Sequence, residues 1–261
     1  MRAATIGLKL VATLGALALS TLVASAQVDA SKLPAAKTAA DRFVALAKDS
    51  EKTGNAPRES DPAVARLLDA VFDSRDVQNP TTITFAQLGP LSERMITGVK
   101  VGVIYMLAGT GVTDLTQMAN DPKADEKVNL NVIKFAPEMG RFFDFQMRIQ
   151  GAVVDGTLTH LATAKPEELA RPNVQSGLAN IRQGSARAVA GAIETLAVNG
   201  LTEEWRQARM PAISAMAPRL AKFLQADQKA ELKQLATACA DVMEDAQVKK
   251  ALQDFAATIG G

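Results

Sequence analysis

Apolar residues recur along most of this chain at spacings of three and four, the signature of helices that bury one face. Leu33, Ala36, Ala40, Phe43, Val44 and Ala47 keep that spacing until Gly54. The polar stretch Lys52 to Ser60, with Gly54, Asn55 and Pro57, reads as a loop. Ser60 and Asp61 then precede Pro62 and the stripe Val64, Leu67, Leu68, Val71, Phe72. An acceptor side chain followed by proline starts a helix, because the first turn has amides to cap and no use for the one proline lacks. Asn79-Pro80 marks a turn, and Thr81 to Phe85 is the only β-branched run suited to a short strand.

Leu91 to Ala108 is apolar nearly all round, which predicts a central buried helix ended by Gly109 and Gly111. A short helix from Asp114 to Ala119 and the start signal Asn120-Asp121-Pro122 lead into a long helical region through Val132, Ile133, Phe135, Phe142, Phe145, Ile149, Val153 and Leu158. Pro137 should break or kink that region, having no amide for the Ile133 carbonyl. Lys165-Pro166-Glu167-Glu168 opens a helix that runs to Asn199-Gly200. Thr202 caps the next, Pro211 and Pro218 divide Trp205 to Leu224 into two short helices, and further helices open near Asp227 and Asp245. The pattern predicts an all-α fold, a single multi-helix bundle of roughly eight or nine helices with no linker dividing it.

The first residues follow another rule. Arg2 and Lys9 precede an uncharged run from Leu10 to Ala26, and Ala24-Ser25-Ala26 supplies the small residues a signal peptidase requires. Residues 1–26 are therefore expected to be a cleaved signal peptide, 27–32 a short tether and 33–261 the helical domain. An uncleaved anchor is the alternative, against which the small residues at Ala24 and Ala26 stand. The leader and the alanine-rich composition point to a bacterial protein that is periplasmic or secreted. Cys239 lies far from the cleavage region, so no lipoprotein is expected.

Composition removes other classes. The chain has 29 Lys and Arg against 28 Asp and Glu, net +1, and loss of Arg2 and Lys9 with the leader turns that to −1. Neither value draws the chain to nucleic acid, and no partner of strong opposite charge is implied. With one cysteine and one histidine, a disulfide framework, a haem attachment motif and a Cys/His zinc cluster are absent, so no cofactor is expected. The motifs GxSxG, Walker A, GxGxxG and HExxH are absent too. Past the leader, the longest apolar stretch, Val99 to Val112, is too interrupted to span a bilayer, so no transmembrane segment is expected in the mature chain.

A few features could carry chemistry. Gly177, Gly184 and Gly191 recur every seven residues on one helix face, and each glycine costs about 1 kcal/mol there relative to alanine. Close helix packing would compensate, with Gly98 and Gly102 of the central helix as the expected partner; a homodimer seam or a ligand groove is the other use of such a stripe. Arg141, Asp144 and Arg148 lie among Phe142, Phe143 and Phe145 and are the candidate ligand or partner contacts, the plainer role being a surface pair between Asp144 and Arg148. Lys100 and Glu194, charges within apolar helices, are a possible pair. Cys239 falls on an apolar face, and His160 has only Glu138 or Asp155 as plausible catalytic company. The function expected is a non-catalytic binding or interaction module for an unknown protein partner; the alternatives are a carrier of a small apolar molecule or lipid, then a hydrolase or lyase.

Overall fold

In a computed structural model of the protein, residues 32–77, 83–84, 87–112 and 122–261 are described, 122–125 by their backbone only. The helices run in the order α1 (Lys32–Leu46), α2 (Ser50–Thr53), α3 (Pro62–Val71), a 3-10 turn (Arg75–Val77), α4 (Leu88–Leu107), α5 (Pro122–Lys134), α6 (Ala136–Thr163), α7 (Pro166–Leu169), α8 (Pro172–Leu196), α9 (Glu203–Ser214), α10 (Ala217–Phe223), α11 (Ala226–Val242) and α12 (Ala246–Gly260). Among the described residues there is no strand, and no helix is long and apolar enough to cross a membrane. The fold is all-α. The helix expected over Asp114 to Ala119, and all of the strand stretch but Ile83 and Thr84, lie outside the described residues.

Local chemistry accounts for most boundaries. The Asp61 carboxylate accepts from the Ala63 amide at 2.7 Å to start α3, Thr202 Oγ1 accepts from Trp205 at 3.2 Å to start α9, and Asp245 accepts from Val248 at 2.7 Å to start α12. Proline acts as a start signal more often than the hydrophobic pattern registers. Pro137 splits the long region into α5 and α6 with Phe135 between them. Pro172 likewise cuts the helix expected from Pro166 to Asn199, leaving the single turn α7 before α8. Pro211 stays inside α9, Pro218 sits in the first turn of α10, and Ala215 and Met216 make the elbow between them.

The longest helix, α6, organises the packing. One side of it meets α4, α5 and, through α4, the α1–α3 pair; its other side meets α8, α9 and α10, which carry α11 and α12. Gly98 and Gly102 of α4 lie under the rings of α6: a Cβ on Gly102 would stand 2.7 Å from the Phe142 ring, and one on Gly98 would overlap Phe145. The close crossing of these glycines is thus with aromatic rings of α6. Gly177 and Gly184 of α8 have no part in it, since a Cβ on either meets nothing within 4 Å. Both positions face open space, which corrects the expectation of a helix crossing there.

Candidate functional site

The strip of α6 that carries the candidate residues runs between α3 on one side and α9 and α10 on the other. Arg141, half-buried, pairs with Asp69 of α3 and lies 3.5 Å from Glu59. Asp144 does not pair with Arg148 one turn along. Its carboxylate forms an ion pair with Arg209 of α9, 2.9 Å from Nε, and that guanidinium lies over the Trp205 ring at 5.4 Å. The correction has a packing cause: α9 delivers Arg209 into a half-buried place where a shielded charge pair and a ring outweigh an exposed contact along α6. Burial pushes the Asp144 carboxyl above its ordinary pKa, against the pull of Arg209 and Arg148.

Arg148 is left exposed, with no ion pair or hydrogen bond among the described residues. It stands at the rim of an open groove of about 260 Å³ lined by α6, the α9–α10 elbow and Val77. Met147, Ala152 and Met216 are buried beneath it. Arg219, on the opposite rim, donates from Nε to Asp155 at 2.8 Å and from Nη1 to the Ala215 carbonyl at 2.7 Å. Gly151 lies in the floor, where a Cβ would stand 3.4 Å from Met216 Sδ and 3.7 Å from Arg219 Cζ, ordinary contacts that would require neither residue to shift.

The other singled-out residues scatter. Lys100 reaches Asp41 of α1 at 2.9 Å on the surface, not Glu194. The Glu194 carboxyl is pushed up to about 7 by burial on α8, and its charge joins burial in pushing the Cys239 thiol up to about 11. Cys239 is fully buried in α11. Glu138, Asp155 and His160 have separate surroundings: Glu138 takes Arg58 Nε and the Glu59 amide, each at 3.0 Å, Asp155 takes Arg219, and His160 Nε2 is 3.8 Å from Glu168. Glu138 and His160 stand near opposite ends of one helix, about 33 Å apart along its axis, so they cannot share a reacting group. Among the described residues no three His, Cys, Asp or Glu side chains gather as a metal site requires.

Two buried charge sites escape the sequence pattern. Arg94, almost wholly buried in α4, makes a two-point contact with Asp76 at 2.7 and 3.1 Å and also donates to the Asp73 carbonyl, while Lys32 approaches both carboxylates. Neighbouring Arg75 bonds hold the Asp73 carboxyl far below the usual carboxylate range. Glu138 is entirely buried and holds the loop before α3 onto the first turn of α6. The signal for Arg94 was a cation between Glu93 and Met95 in an otherwise apolar helix, the same signal that drew attention to Lys100. Comparison with protein-family models, with curated proteins and with solved structures finds no match to this chain.

Proposed function

We propose that this chain is an exported, non-catalytic binding module that works through the groove between α6, α9 and α10. The observation that carries the reading is Arg148: an exposed guanidinium with no ion pair or hydrogen bond among the described residues, held beside buried methionines at the rim of an open groove. Natural surfaces place such a combination where something else supplies the missing anion and covers the apolar floor. The leader-like run before Gln27 supports export, with a periplasmic or secreted destination. A hydrolase or lyase asks Glu138 or Asp155 to converge with His160; Arg58 holding Glu138 and Arg219 holding Asp155 favour the binding reading over it.

The test expresses the full chain in a Gram-negative host with a photo-crosslinking residue at Ala215, which is exposed on the groove's lip. The expected denatured mass begins at Gln27, and irradiation in the periplasm attaches a partner or ligand at Ala215 but not at exposed Leu130 on α5. A mass retaining Met1 overturns export, and equal or absent crosslinking at the two positions overturns the groove as binding surface.

A further inference from the structure

We infer that the groove takes an amphiphilic monocarboxylate, its carboxylate on Arg148 and its chain over Met147, Gly151 and Met216. This ligand class rests on the binding-module reading above and narrows it. The charge count around the groove sets the ligand's charge. Among the described residues around the groove, Asp144 is matched by Arg209 and Asp155 by Arg219, so Arg148 leaves one positive charge in excess and calls for one negative charge. A guanidinium presents two parallel donors, the geometry that a planar carboxylate accepts on both oxygens.

The floor sets the rest of the molecule. Met147 and Met216 are nearly fully buried, and their thioethers adapt to an irregular apolar chain without a specific shape. Gly151 keeps that floor low: any side chain there would rise between Met216 and Arg219. A helical partner is a poor occupant, because its anchors repeat over two turns, about 10 Å, whereas the α6 floor from Met147 to Ala152 covers only about 7.5 Å. A single chain with one charged end fits that length.

Methionine methyl NMR on the exported chain reads the floor directly. Octanoate should shift the Met147 and Met216 methyl resonances saturably, and octan-1-ol, which has the chain but no charge, should bind at least about tenfold more weakly, the worth of one charge-assisted pair. Arg148→Gln breaks no ion pair or hydrogen bond among the described residues and removes only a through-space attraction to Asp144, so it should leave the Tm nearly unchanged and bring octanoate down to the octan-1-ol level. Gly151→Ala should keep the fold and weaken both probes by filling the floor. Equal binding of the two probes, or an Arg148→Gln protein that binds octanoate as the parent does, overturns the carboxylate. If octanoate moves neither methyl while the Ala215 crosslink still captures a partner, the ligand class falls and the binding module stands; if both fail, both fall.

Discussion

On the α1–α5 side of α6 the interior is joined ring to ring and pinned by full charges; on the α8–α12 side Phe223 and Phe255 are buried among mostly aliphatic and small side chains, and the half-buried Glu194 carboxyl has no cation partner among the described residues. Phe72 stacks against Phe142 and Phe145 at 6.1 and 5.5 Å, and Tyr105 bridges Phe43 and Phe135 at 5.4 and 5.2 Å. Arg94 with Asp76, and Arg58 with Glu138, tie segments distant in sequence to that aromatic layer. Across α6, Leu232, Ala236, Cys239, Leu252 and Ile259 are buried, and the Glu194 carboxyl finds no cation among the described residues. Apolar burial is proportional to area and indifferent to direction, whereas a two-point charge contact accepts one geometry. The first side therefore fixes its loops by pairing charge with charge, whereas the second fixes its own by single cations on backbone carbonyls, Arg206 on Leu196 and Val198 and Arg182 on Phe223.

The largest effect expected from breaking this contrast is at Arg94. Arg94→Met leaves Asp76 with only Lys32, at 3.4 Å, and should cost about 3 kcal/mol in urea unfolding. Arg94→Met with Asp76→Leu should recover part of that loss, because the stranded charge goes too; a single variant as stable as the parent would show the pair to be idle. Next comes Gly102→Ala, whose methyl meets the buried Phe142 ring at 2.7 Å; overpacking of this kind costs about 1–3 kcal/mol, read as a lowered Tm.

A smaller effect on the α8–α12 side depends on pH. Because burial raises Glu194 from 4.5 to about 7, the folded chain between those values holds a proton that the unfolded chain has released. Stability should fall as the pH rises through that window and level off above it. Glu194→Gln should flatten the slope and stabilise the protein at pH 8 by about 1 kcal/mol, well under the full linkage value since the carboxyl keeps contact with water, with no difference at pH 4. An unchanged slope would assign the pH dependence to other groups. Smallest, and opposite in sign to Gly102→Ala, is Gly184→Ala: with nothing within 4 Å of its Cβ, the gain is helix propensity alone, a Tm increase worth under about 1 kcal/mol.

Much of the architecture was legible because helix ends and apolar stripes are local. Asp61, Thr202 and Asp245 cap helices within three residues of themselves, and the apolar run at Leu91 to Ala108 nearly coincides with α4. The candidate site was legible only in part. Arg148 was found from its aromatic neighbourhood, yet its opposite rim, Arg219, lies 71 positions on, and no periodicity connects the two. Asp144 was given the wrong partner for the same reason: spacing along one helix reveals Arg148, while Arg209 arrives with α9. The seven-residue glycine stripe shows a further limit, since spacing places Gly177 and Gly184 on one face of α8 but does not say whether another helix covers it.

The notches that Gly98 and Gly102 cut into α4 bear on how the interior moves. The Phe145 and Phe142 rings occupy the space a side chain there would take, and a ring packed at interior density turns over only when its surroundings open. A half-turn of either ring requires α4 to draw back from α6 and return. Ring reversal is thereby geared to the opening of the α4–α6 interface, and its rate counts how often the heart of this protein breathes.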